Sequence, residues 1–411
     1  MDQARRFIWV WVVTMLLLGA AVAVCNLLVD PYDVFGSPRI AGFNRLKPEA
    51  KNHSMLAKTY QIERIRPETV MIGSSRVHIG IDADDPAWPA TMGIVYNYAI
   101  PGGYDASANL LTLREAIATG RVKNAVVFLD FQNFLVPAGP NDGGDEDTRR
   151  MLVGPSGAPN PDRARQVASD MFLALFTMGA LVDSGATIAA QGGGTVLDLR
   201  PNGSSTDADF VNAARSDGMY DIFAQKDEFE AARAEQFAKA TRGRTGPTPN
   251  LDVVAGMIAL CRAHGVALTL VISPSHADAL ELYWRNGLWD RIEQFKTDLA
   301  ALVSKDGGGA VTLWDFMGYD RETTEPVPPA GDRRSGTHWF WESTHFKKAY
   351  GHILLGRLFG GSTEAVGARL TAENVTERNS AVRLARQAMI CGGTVRVLTS
   401  LANAPPDGCA R

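Results

Sequence analysis

The chain has 411 residues, of which 45% are apolar and 21% charged, the composition of an ordinary globular protein. That length accommodates one large α/β domain with insertions, or two domains. A formal net charge of -4 gives no basis for nucleic-acid binding, and no spacing among the four cysteines and seven histidines resembles a zinc site, so neither nucleic acid, metal nor other cofactor is expected.

Residues 7–29 form an apolar run relieved only by Thr14, Cys25 and Asn26, long enough to cross a bilayer core as a helix. Arg5 and Arg6 precede it, and the positive-inside bias assigns them to the cytoplasm and the rest of the chain to the far side. The expected localisation is the bacterial inner membrane, crossed once by residues 1–30, with the bulk of the protein in the periplasm. A cleaved signal peptide is the competing reading, because Ala21-Val22-Ala23 offers small residues, but the apolar run continues past them. A lipoprotein reading through Cys25 is weakened by Val24, which stands where a small residue would be wanted. Asp30-Pro31-Tyr32 and the stretch from Lys47 to Lys58 sit just outside the anchor, the latter within a juxtamembrane segment of 31–67, and the lysines there read as decorating a surface rather than binding a substrate.

Beyond this point short apolar strands alternate with helical patterns, which predicts a doubly wound parallel sheet of about five strands. The strands are expected at 70–72, 95–99, 125–129, 268–272 and 311–314, with helices at 107–119, 251–264 and 277–303. A site in such a sheet lies at the carboxyl ends of the strands. The third and fourth strands are too far apart for a simple crossover. The intervening insertion, about 135–250 within a domain of 68–362, holds an acidic, Gly-rich stretch at 141–147, a helix at 162–182, a loop at 191–205 and a polar helix at 223–239. It reads either as a lid or side subdomain or as a solvated elaboration. Residues 363–411 form a terminal helix and tail. Cys261 falls on an apolar helix face, whereas Cys391 and Cys409 flank a Gly/Pro-containing stretch, where a disulfide would suit an oxidising periplasm. No internal repeat is present.

Four motifs carry the chemistry. Gly73-Ser74-Ser75-Arg76 follows the first strand and reads as a Gly-x-Ser turn. Glu342-Ser343-Thr344-His345, expected to open an amphipathic helix, supplies a base and an acid to orient it. The second strand runs into Asn97-Tyr98-Ala99-Ile100-Pro101-Gly102-Gly103, whose glycines let a backbone N–H approach a ligand, and the third is followed by Phe131-Gln132-Asn133-Phe134, with a side-chain amide at the same edge. Ser75 N–H, Gly102 N–H and the Asn133 amide together would form an oxyanion hole. Each motif alone has a plainer explanation: Ser and Gly after a strand make turns and caps, and Thr344 could cap a helix containing His345 as an ordinary member. Ser74 and Arg76 flank the turn, and Ser273-Pro274-Ser275-His276 follows the fourth strand, so Ser74, Arg76, Ser275 and His276 are expected to touch substrate. His338 is a second candidate base.

This order of motifs resembles the SGNH hydrolase superfamily, also called GDSL-like, over roughly residues 68–135 and 265–360. The resemblance implies Ser75 as nucleophile, His345 as base, Gly102 and Asn133 as oxyanion donors, and Glu342 in the place usually held by aspartate. Ser74 stands where the family has Asp, Arg76 where it has Leu, and Phe131 where it has the Gly before the Asn. These departures are more similar to a divergent membrane-anchored branch, resembling proteins that O-acetylate alginate or assist D-alanylation of teichoic acids. The implied activity is that of a periplasmic serine esterase or O-acyltransferase acting on a cell-surface glycan through an acyl-serine intermediate, with a multi-pass membrane acyltransferase as partner. The alternative is a catalytically silent SGNH-like protein that binds glycan or scaffolds an envelope polysaccharide export or modification complex.

Overall fold

The computed structural model describes residues 2–102, 106–137, 146–361 and 365–391. Gly103, most of the 141–147 stretch and Cys409, with the bridge expected of it, lie outside the described residues. The chain forms two compact units, one of Met1–Ile65 with Asp142–Ala208 and the other of Arg66–Asn141 with Asp209–Arg411. The insertion expected at 135–250 is therefore divided between them.

In the first unit, α1 (Asp2–Val29) is a single helix, long and apolar enough to span a membrane. Its exit is fixed by polar groups. The Asp30 carboxylate accepts the N–H groups of Val34 at 2.9 Å and Ser37 at 3.1 Å, and the Lys47 ammonium donates to the Val29 and Asp30 carbonyls that end the helix. Lys47 and Lys58 are fully buried, so the expectation that they decorate a surface is corrected. The helix expected at 162–182 is two, α2 (Arg163–Phe176) and α3 (Met178–Ala189), bent by 63° at Thr177. Thr177 ends one helix and caps the next: its hydroxyl donates to Leu173 O at 2.7 Å and accepts from Ala180 N–H at 3.2 Å.

The second unit is built on a six-stranded sheet of β1 (Thr69–Ile72), β2 (Val95–Asn97), β3 (Asn124–Leu129), β4 (Ala267–Ile272), β5 (Val311–Asp315) and β6 (Ala368–Arg369), in the order β2-β1-β3-β4-β5-β6. The first five pair in parallel and β6 runs antiparallel to β5. All five expected strands form, within two residues at each end; β6, two residues long, had no periodicity to reveal it. β2 stops at Asn97 because that side chain donates to Val77 O and Ile81 O and accepts from Ala99 N–H, turning the chain. β1 is buried along its whole length, as expected of a strand covered on both faces. Met71, Phe128, Val271 and Phe316 join Phe346, Tyr350 and Leu354 in one apolar core.

The helix expected at 277–303 is also two, Ala277–Arg285 and Trp289–Asp306. Gly287, at φ +70°, makes the left-handed turn that closes the first. Its N–H bonds to Trp284 O at 3.0 Å and that of Leu288 to Tyr283 O at 2.9 Å, the paired bonds of a Schellman stop.

Candidate active site

Ser75 begins the six-residue helix Ser75–Gly80, three residues beyond the buried end of β1. Gly73 is required between them, because a Cβ there would lie 2.7 Å from Val77 Cγ2 and 3.1 Å from Phe128 Cβ. The buried Ser74 hydroxyl caps the helix, accepting from Arg76 N–H at 3.4 Å, and is spent on backbone. The Ser75 hydroxyl, partly exposed, lies 2.7 Å from His345 Nε2, and His345 Nδ1 bonds directly to Glu342 Oε1. An ionised carboxylate only accepts, so Nδ1 carries the ring proton and Nε2 is left to accept from Ser75.

Glu342 to His345 do not open a helix, contrary to expectation. The Glu342 carboxylate accepts the N–H groups of Thr344 at 3.0 Å and His345 at 2.8 Å and the Thr344 hydroxyl at 3.1 Å, removing donors that a helical start would use. Trp341 N–H donates to His345 O at 2.8 Å, closing the turn, and the helix begins only at Lys348. His276 N–H donates to Ser343 O at 2.9 Å and ties this turn to the end of β4. Burial alone would push the Glu342 carboxyl up; the nearby His345, and then Lys226, outweigh it and hold the group down at about 2. Glu342 is therefore an anion at any working pH. Phe210 packs against His345 with ring centres 5.4 Å apart and stacks on Trp341.

The residues expected to touch substrate are mostly inside. Arg76 is buried, donating to Ser275 Oγ at 3.0 Å and Pro274 O at 3.4 Å, with its Nε 3.7 Å from Asp130. Burial works against its charge, but Asp130 and the more distant acids Glu230 and Glu342 more than offset this, so it is held protonated more firmly than usual. His276 is fully buried: it caps the helix Ala277–Arg285 and bonds through Nε2 to Glu325 O at 2.9 Å. Arg76, Ser275 and His276 thus brace the site from behind. His338 is exposed and packs edge-on against Trp339, and it is His345 that meets Ser75.

Gly102 and Asn133 stand on the loops that follow β2 and β3, the two strands flanking β1, so they rise at the edge of the sheet that carries Ser75. The β2 loop is tied to the turn that carries Ser75 by Ile100 N–H donating to Gly73 O at 3.0 Å. Gly102 is exposed at φ +84°. The Asn133 backbone carbonyl accepts from Asn250, while its buried Oδ1 has no partner among the described residues.

Sequence reasoning missed a buried polar layer beneath these groups. Gln132 donates to Glu230 at 2.7 Å and Tyr283 at 2.6 Å, and Lys226 pairs with Glu230 at 2.9 Å. Helical periodicity marks Lys226 and Glu230 as an i,i+4 pair but gives no sign that the pair faces inward. Asp227, in the same helix, is pushed up to about 8 by burial and then by the charge of Asp278. The folded protein therefore keeps a proton that the unfolded chain releases above the ordinary 3.8, so this term favours folding at low pH and is lost as pH rises toward about 8. Asp227→Asn removes the titration. Its stability relative to the parent, followed by thermal denaturation in detergent, should rise between pH 5 and 8 by on the order of a few kcal/mol and then level off. A difference that is constant with pH would contradict this assignment.

No family model matches the chain, and comparison with curated proteins gives no match.

Proposed function

We propose that this protein is a membrane-anchored serine esterase or O-acyltransferase of SGNH type that acts on a cell-surface glycan. The observation that carries the reading is the hydrogen-bonded chain from Ser75 Oγ to His345 Nε2 and from His345 Nδ1 to Glu342, assembled from segments 270 residues apart. Its position adds support. The order β2-β1-β3-β4-β5 is that of doubly wound, flavodoxin-like sheets, in which ligands bind at the switch point between the first and third strands, and Ser75 emerges there.

In this mechanism Ser75 Oγ attacks the ester carbonyl carbon while His345 Nε2 takes its proton. Ser75 N–H, Gly102 N–H and the Asn133 amide stabilise the oxyanion, each worth roughly 3 kcal/mol when well aimed. The carbonyl re-forms, the alkoxide leaves with the proton from His345, and an acyl-Ser75 remains. A sugar hydroxyl or water then gives its proton to His345 and attacks the acyl carbon; as the carbonyl re-forms, the bond to Ser75 Oγ breaks and His345 returns that proton to it, releasing the acylated sugar or the free acid. Glu342 stays ionised throughout and stabilises the imidazolium. Arg5 and Arg6 before α1 favour a periplasmic site, where a multi-pass acyltransferase could deliver acyl groups from the cytoplasmic side.

Full-length protein in detergent should react with a fluorophosphonate probe, with the adduct mapped by mass spectrometry to Ser75, and should hydrolyse an activated acetyl ester. An adduct on another serine would overturn the assignment. Absence of both labelling and turnover, together with normal function of a Ser75→Ala strain, would favour the scaffold reading.

A further inference from the structure

We infer that the elbow between α2 and α3 is a second membrane-contacting element, with its apolar side chains in the acyl-chain region of the leaflet where α1 ends. Residues 171–182 contain no charge and one polar side chain, Thr177. Twelve residues are too few to cross a bilayer and are the length of a core helix or of an interfacial or re-entrant segment. A core helix is excluded by exposure: Phe172, Leu173, Phe176, Met178 and Val182 are 48–67% exposed on one bend.

What covers them follows from how the elbow is tied down. The far ends of both arms are held by segments outside the anchor: Arg163 pairs with Glu63, and Gln191 bonds both ways to the Leu46 backbone at 3.0 Å. The apex instead meets α1. Beside the bend, Asn26 of α1 donates to Leu175 O at 2.9 Å and, on the second arm, accepts from Ser184 at 2.9 Å; Tyr32, three residues past the end of α1, donates to Asp183. Asn26 lies three residues before the end of α1, about 5 Å along its axis. That matches the roughly 5–10 Å to which interfacial helices bury their apolar faces. The polar side of the elbow is thus spent on the exit of α1, while its apolar side continues the lipid-compatible surface of Val24, Leu27 and Leu28. A chain break at that depth must satisfy its own backbone, as Thr177 does by bonding to Leu173 O and Ala180 N–H.

The inference rests on α1 lying in a bilayer, and one experiment reports the two separately. Full-length protein is reconstituted in phosphatidylethanolamine/phosphatidylglycerol vesicles containing a phosphatidylcholine with an acyl-chain diazirine, irradiated, digested and mapped by mass spectrometry. Lipid adducts are expected on 7–29 and also on 171–182, the latter at least about tenfold above those on the same peptide from vesicles left unirradiated. Met178→Glu with Val182→Glu, both at exposed positions, should reduce the 171–182 adducts severalfold and leave those on 7–29 unchanged. Adducts confined to 7–29, with the 171–182 peptide recovered unmodified, would overturn the elbow alone. Absence of adducts on 7–29 as well would overturn the anchor and the elbow together.

Discussion

Ser75→Ala is expected to abolish fluorophosphonate labelling and to lower ester turnover by at least about a thousandfold, with little change in thermal stability. Its hydroxyl is partly exposed and fills no core space, so the loss is chemical. His345→Ala should abolish labelling and turnover likewise, because without the ring nothing 2.7 Å away accepts the serine proton, and should also lower thermal stability, because the buried Glu342 carboxylate loses its partner. Combining the two should cost little more than Ser75→Ala alone, as expected of residues that act as one unit. Glu342→Gln should be about tenfold to a hundredfold less damaging than Ser75→Ala: the amide keeps an acceptor for the turn but loses the charge that stabilises the imidazolium. Ser74→Ala removes only a long capping bond, at a cost of about 1 kcal/mol or less, and should retain labelling. Full activity in Ser75→Ala, or an inactive but folded Ser74→Ala, would show that the nucleophile has been misassigned.

Gly351→Ala is expected to be strongly destabilising and to uncouple the two halves of the site. A Cβ at Gly351 would lie 2.0 Å from the Gly80 carbonyl oxygen, a backbone atom that cannot swing aside. Gly80 ends the helix begun by Ser75, and a Cβ there would in turn meet Phe346 at 2.3 Å, immediately after His345. These two glycines let the segment carrying His345 close onto the segment carrying Ser75. The variant should lose roughly 1–3 kcal/mol or more, read as a lowered Tm. Below that Tm, where the fold persists, labelling should slow by at least about tenfold, because a shift of about 1 Å suffices to break the near-attack geometry. Unchanged labelling in a folded Gly351→Ala would mean that this contact does not set the Ser75 to His345 distance.

Much of this protein was legible in its residue order because the governing interactions are local. An uninterrupted apolar run makes α1, whatever surrounds it. Short β-branched runs between turn residues make β1, β3, β4 and β5, because a strand buried on both faces has few polar residues to confuse it. Local signals failed where a side chain or a left-handed glycine takes over the helix's backbone bonds: Thr177 splits one expected helix, Gly287 another, and Glu342 holds its own turn out of helix altogether. Periodicity does not register a single carboxylate that takes two N–H groups.

Tertiary structure alone decided what each candidate residue faces. Nothing near Arg76, Ser275 or His276 in the chain separates a substrate contact from a buried brace; that depends on Asp130 and Glu325, brought close by strand pairing and loop packing. Likewise, tertiary packing places His345 2.7 Å from Ser75 and leaves His338 against Trp339. Sequence determined which groups were on hand and which strand end would carry the serine, because those follow from nearest neighbours. Which groups meet was decided by packing between segments hundreds of residues apart, where the contact energy lies in shape and burial that no local pattern encodes.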